Sequence, residues 1–227
     1  MDFSIVSPAE LVIFACAMIG AGLVGGVVAG MLGVGGGIVI VPVLYYLLGL
    51  LGFDPDVQMH VATGTSLATI IPTSFSSIRS HNAKGAVDHS LVRSWMAPMV
   101  FGVLIGSIVS GFVGGHALAA VFGIVALPVA IHLVAGREPH LKDEPPRGGL
   151  QYAIPTFIGT VSTMMGIGGG TVGVPIMTMF GFPIHRAVGT ASVFGAIISV
   201  PGTIGAILAG GAATNLPPAS LGYVNLR

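Results

Sequence analysis

Two glycine clusters, each set inside an apolar run, constrain this chain more than any other feature. Gly33-Val34-Gly35-Gly36-Gly37 leads through four residues to Pro42, and Gly166-Ile167-Gly168-Gly169-Gly170 leads through four residues to Pro175. Downstream of each cluster lies a second matched block. His60-Val61-Ala62-Thr63-Gly64-Thr65-Ser66 and His185-Arg186-Ala187-Val188-Gly189-Thr190-Ala191 share His, Ala, Gly and Thr at the same spacing. One glycine-rich match is expected by chance in a chain with 36 glycines. Two matched blocks in the same order are the mark of an internal repeat.

The surroundings of the clusters define the solvent. Only 7% of the 227 residues are charged and 53% are hydrophobic, whereas a soluble domain carries about 25% charged residues. A charge at a bilayer centre costs roughly 2.5–3.5 kcal/mol, so this poverty of charge fits a chain whose solvent is lipid. The net charge is zero, which leaves no basic excess to hold nucleic acid. The single cysteine, Cys16, lies in an apolar run and reads as a small buried hydrophobe. The first ten residues contain no Lys or Arg, so they lack the basic region of a signal peptide, and the apolar stretch behind them reads as a first membrane segment.

Apolar segments are expected at 10–32, 38–51, 61–78, 92–113, 117–135, 150–165, 171–182 and 187–209, with a last one starting near Leu221. About 20 residues cross the hydrocarbon core. The short segments 38–51 and 171–182 follow the glycine clusters, so they read as half-helices or re-entrant pieces. A polar linker, 136–149, divides a first repeat, 1–135, from a second, 150–227. Lys and Arg are enriched in cytoplasmic loops. If each short segment forms a hairpin with its predecessor, Arg79, Lys84, Arg93, Arg137, Lys142, Arg147 and Arg186 all fall on one side, and Arg227 alone does not. The first repeat then starts outside and the second inside. The expected fold is an all-α integral membrane protein, a polytopic helical bundle of two inverted repeats with discontinuous helices. Secondary transporters recur on this plan.

With these residues the chain resembles the TauE/SafE family of membrane transporters, also called the sulfite exporter family. The matching features are the paired GxGGG-x4-P motif, the Gly-Thr segments after it and the short polar linker, and they cover essentially the whole chain. The resemblance implies transport of a small sulfur-containing anion such as sulfite or an organosulfonate, in a prokaryotic plasma membrane. By the logic of the repeat, two spanning segments are expected beyond Arg227.

The clusters are the first candidates for substrate binding. Successive glycines ahead of a helix expose backbone N–H groups, and a helix N-terminus carries about half a positive elementary charge. Gly35, Gly36, Gly37, Gly168, Gly169 and Gly170 therefore form candidate anion sites without Arg or Lys, expected to converge near the midplane. Close packing is the plainer reading of one cluster. Thr65, Ser66, Thr190 and Ser192 supply hydroxyls for the walls, although such groups often bond the backbone or a neighbouring helix instead. His60 and His185 head equivalent helices, as interfacial caps or as proton-sensitive groups. Trp95 reads as an interfacial anchor, and Gly205, inside a long segment, as a site where Ala is expected to be milder for anion uptake than Asp at Gly36 or Gly169. No carboxylate falls within an apolar segment, and no catalytic, metal or cofactor set is expected. The partners are a small anionic substrate and the bilayer, with no nucleic acid, and a homodimer is left open. A passive anion channel on the same repeat is the alternative. An intramembrane Ser–His hydrolase using Ser66 ranks lower, because the G-x-S-G pattern is missing from the sequence, and an accessory membrane protein without transport also stands open.

Overall fold

The computed structural model describes residues 19–20, 22–23, 26, 36–135, 146–211, 213 and 216–225. Of segment 10–32 only residues 19–20, 22–23 and 26 are described, all helical, and Gly33 to Gly35 and most of the linker lie outside the described residues. Between residues 36 and 211 lie seven helices: α1 Gly37–Leu50, α2 Pro55–Ala83, α3 His89–Phe112, α4 Gly115–Ala135, α5 Leu150–Met165, α6 Gly170–Met179 and α7 Ile184–Gly210. Each contains an internal proline, a residue that membrane helices tolerate where neighbours satisfy the freed backbone groups.

Local chemistry sets the ends. Asp54 caps α2 by accepting from the Asp56 N–H at 3.0 Å, with Pro55 in the first turn, where a proline loses nothing by lacking its N–H. Asp88 caps α3 by accepting from the Leu91 N–H at 3.0 Å. Gly166 closes α5 with φ +68°. There the Gly166 and Ile167 amides return to the Thr163 and Ser162 carbonyls, a turn that favours glycine.

Only α3 and α7 combine the length and apolarity needed to cross a bilayer among the described helices. Helices α1 and α6, of 14 and 10 residues, are about 21 and 15 Å long at 1.5 Å per residue, shorter than a hydrocarbon core of about 30 Å. The outer surface is apolar: Phe112 is 88% exposed, and Ile124, Leu127 and Leu208 are exposed as well.

Helices α3, α5 and α7 run parallel. Thr156 Oγ1 donates to Pro98 O at 3.0 Å and Thr160 Oγ1 to Gly102 O at 2.9 Å, tying α5 to α3 one turn after another. Trp95 stacks on Phe194 at 5.6 Å and Ser107 lies against Gly205, which sets α3 beside α7 in the same sense. Helix α2 opposes α7, with Ser74 against Gly195, Leu67 against Gly202 and Gly64 against Ala206. Gly115, at the start of α4, abuts the Pro55 and Asp56 carbonyls. Arg79, Lys84, Arg93, Arg147 and Arg186 therefore gather toward the end of the bundle where α2 finishes and α3, α5 and α7 begin. Asp54, Asp56 and His116 mark the other end.

Two expectations are corrected. Trp95 is not an interfacial anchor: it is 1% exposed, inside the core formed with Met99, Ile158, Phe194 and Ile198. Its neighbours on α7 cover the ring from a distance in sequence that composition does not register. The apolar segment expected from Leu221 is instead a small hairpin, in which β1 Ser220–Leu221 pairs antiparallel with β2 Val224–Asn225. Gly222, at φ +56°, makes the turn.

Candidate functional site

The two glycine clusters meet. Gly36 is the N-cap residue of α1 and Gly169 that of α6, and neither end has a side-chain cap, so the leading N–H groups of both helices look to other partners. A methyl built on Gly37 would lie 2.7 Å from Gly166 O, 2.8 Å from Ile167 Cα and 3.1 Å from Ser66 Oγ. The end of the first cluster is therefore in backbone contact with the beginning of the second. Ser66, fully buried on α2, donates its hydroxyl to Gly166 O at 2.6 Å. Thr63 presses on Gly166 from the same helix.

The remaining cluster residues face elsewhere. Gly168 lies between Ile70 and Gly195, and Gly169 packs against Phe194. Gly170, also buried, opens α6. Gly35 lies outside the described residues.

The other candidate hydroxyls are spent on structure. Ser192 Oγ donates to Gly189 O in its own helix at 2.6 Å. Thr190 Oγ1 accepts from the Asp88 N–H at 2.9 Å, and Thr65 Oγ1 accepts from the Asn225 N–H at 2.9 Å. These last two bonds are equivalents. Each Gly-Thr pair receives a short loop from the opposite half. Gly64 is pressed by the Tyr223 carbonyl and Gly189 by the Ala86 carbonyl, so neither position has room for a side chain.

This relationship reveals a third matched block, Gly85-Ala86-Val87-Asp88 and Gly222-Tyr223-Val224-Asn225. Both glycines have positive φ, +65° and +56°, and both valines are buried. The sequence carries a signal for it, a G-x-V-[DN] run downstream of each Gly-Thr block. Four residues with two identities do not stand out until contacts align them.

The equivalence stops at the histidines. His185 is exposed, while His60 is buried and stacked on Tyr223 at 4.7 Å. At the opposite end, Arg186 pairs with Asp88 at 3.3 Å. At Gly205 an added methyl would meet the Ser107 side chain.

Comparison with known proteins gives a consistent picture. The family model described as Sulfite exporter TauE/SafE matches residues 18–226. A "Probable membrane transporter protein" of Haemophilus influenzae is 31% identical over 94% of this chain and 81% of its own length. The "Probable membrane transporter protein YunE" of Bacillus subtilis is 30% identical over 83% of this chain and 77% of its own. A probable membrane transporter protein of Methanocaldococcus jannaschii is 28% identical over 74% of this chain and 62% of its own. No solved structure matches the chain.

Proposed function

The chain belongs to the sulfite exporter TauE/SafE family, and on that premise we propose that it is a secondary transporter of a small anion, sulfite or an organosulfonate, in a prokaryotic plasma membrane. Its family is described as a sulfite exporter and its relatives are named probable membrane transporter proteins. The observation that carries the anion reading is the meeting of the two clusters, Gly37 against Gly166 and Ile167. The N-terminus of α1 lies at that contact, and that of α6 begins two residues beyond Ile167, at Gly169; each offers partial positive charge without a basic side chain, and half-helix N-termini of other inverted-repeat carriers point at anionic groups.

In this reading residues 1–135 and 150–227 are inverted repeats joined by a cytoplasmic linker, 136–149, and α1 and α6 are re-entrant. The reciprocal loops at Gly64 and Gly189 and the opposed course of α2 and α7 support it. Gly36, Gly37, Gly168, Gly169 and Gly170 shape the site, and Ser66 holds the Gly166 carbonyl beside Gly37. Thr65, Thr190 and Ser192 hold the surrounding loops and helix.

The test is radiolabelled sulfite flux into liposomes holding the purified full chain. Saturable uptake that accelerates when unlabelled sulfite is loaded inside is the expected result. Flux that rises linearly with concentration and shows no counter-exchange would mark a channel, and no flux of sulfite, methanesulfonate or sulfoacetate would end the anion reading.

A further inference from the structure

The two reciprocal loops are built alike but held differently. At the basic end of the bundle, the Gly85–Asp88 loop seats on α7 through the bond of the Asp88 amide to Thr190 and the contact of Ala86 with Gly189. The Asp88 carboxylate adds a charged tie. One of its oxygens caps α3 through the Leu91 N–H, and the other lies 3.3 Å from Arg186 Nη2. In the Gly222–Asn225 loop the place of Asp88 is taken by Asn225, and the equivalent of Arg186 is Val61, a buried residue of α2. These two side chains cannot form an ion pair.

Packing differs in the opposite sense. The Gly222–Asn225 loop is wedged between two helices. Its Tyr223 carbonyl presses on Gly64 of α2, the Tyr223 ring stacks on His60, and the Tyr223 N–H donates to Ala206 O of α7 at 3.2 Å. Methyls built on Gly222 and Gly210 would collide with the Ile207 carbonyl and the Tyr223 nitrogen, so loop and α7 meet backbone to backbone. Gly85, by contrast, is exposed at φ +65°, and a methyl built on it meets nothing within 4 Å among the described residues. A glycine in such surroundings can turn without displacing a neighbour. The Arg186 side chain is 53% exposed, and an ion pair open to solvent is a modest tie that salt weakens.

Both loops stand beside the meeting of the clusters. Thr190 lies one turn before Phe194, which packs on Gly169, and Gly64 lies between Thr63 and Ser66, which touch Gly166. Each loop therefore lies between one end of the bundle and the cluster junction.

We propose that the Gly85–Asp88 loop is a lid over the basic end of the cluster junction, hinged at Gly85 and latched by the Asp88–Arg186 ion pair, while the Gly222–Asn225 loop is a fixed plug over the other end. The two ends of the bundle then open with unequal ease, and the charged end opens more readily. That the lid admits an anion rests on the transport reading; its opening does not.

The test reads the opening directly. Val87→Cys and Val224→Cys are made separately in a Cys16→Ala background of the full chain, purified in detergent and reacted with N-ethylmaleimide, a neutral reagent. Both valines are buried, so each thiol reacts while its loop is lifted. Val87→Cys is expected to react faster than Val224→Cys. Its rate should rise between about 0.1 M and about 1 M salt, as the screening length falls from about 10 Å to about 3 Å, and the rate at Val224→Cys should stay flat. Asp88→Asn keeps a residue able to cap α3 and is expected to speed Val87→Cys roughly threefold, as loss of an exposed ion pair does, and to remove the salt dependence. Arg186→Gln breaks the pair from the other side and should do the same, so the result does not hang on one variant folding. Equal rates at the two valines, acceleration of both by Asp88→Asn, or a Val87→Cys rate indifferent to salt and to both variants overturns the proposal. A latch that behaves as expected in a chain that exchanges no sulfite in liposomes would end the sulfite reading and leave the lid standing. Salt-indifferent labelling in a chain that does exchange sulfite would end the latch and leave the transport reading standing.

Discussion

The Asp88 N–H donates to Thr190 Oγ1 at 2.9 Å, across 102 residues of chain. Asn225 makes the same bond to Thr65 at the same length. The two halves are therefore stitched to each other twice, each by a loop of its own and a threonine of the other. The stitches lie at opposite ends of the antiparallel pair α2 and α7.

Removing one acceptor should be costly. Thr190 is fully buried, so Thr190→Val leaves the Asp88 amide without its partner, a loss of about 1–3 kcal/mol. Thr190→Ser keeps the oxygen and should stay close to the original. Thr65 is only half-buried, and Thr65→Val should cost less. Thermal unfolding in detergent measures all three, and a Thr190→Val protein as stable as the parent would contradict the stitch.

Close backbone contact separates glycines that look alike in sequence. Gly189→Ala sets a methyl 2.5 Å from Ala86 O, and overpacking of this kind costs about 1–3 kcal/mol. Gly123, inside α4, has nothing within 4 Å of the added methyl. Gly123→Ala should be neutral or stabilising by up to about 1 kcal/mol. The same unfolding assay ranks them, and the reverse order would mean that the loops do not seat as described.

Charge at the cluster can be tested apart from packing. An added side chain at Gly169 would lie 2.5 Å from Phe194 Cβ, but at Gly36, among the described residues, it meets only the end of Ile40, at 3.3 Å. Gly36→Asp should lower sulfite exchange by more than about tenfold, which corresponds to about 1.4 kcal/mol. Gly36→Asn, of the same size, should stay within a few-fold. Equal losses in the two variants would assign the cluster to packing alone.

Sidedness is readable with two cysteines. In a Cys16→Ala background, Asp54→Cys and Lys84→Cys sit at opposite ends of α2. The basic end should face the cytoplasm. An impermeant maleimide added to intact cells should therefore label the first and spare the second until the membrane is opened. Labelling of both from outside would refute this orientation.

Much of this was legible in the chain. The segments expected at 150–165 and 187–209 coincide with α5 and α7 or fall within three residues of their ends, because apolar runs and, at the end of α5, Gly166 and its bonds to Thr163 and Ser162 act over a few residues. The cluster pair was legible because glycines in series are rare enough to notice twice. The loops Gly85–Asp88 and Gly222–Asn225 were not, since their likeness consists in what they touch.

By itself the sequence determined the lipid solvent, the helices and the doubling of its motifs, all of which follow from hydropathy and from interactions between residues close along the chain. Tertiary structure alone decided that Gly37 meets Gly166, that Thr65 and Thr190 are acceptors for distant amides, and that Trp95 belongs to the core. It also parted His60 from His185. Their blocks match residue for residue at four positions, but of the two only His60 has carbonyls from the end of α3 against its ring and a tyrosine across its face. Burial and hydrogen bonding of a side chain are set by the elements that pack on it, and those elements arrive from fifty residues and more away.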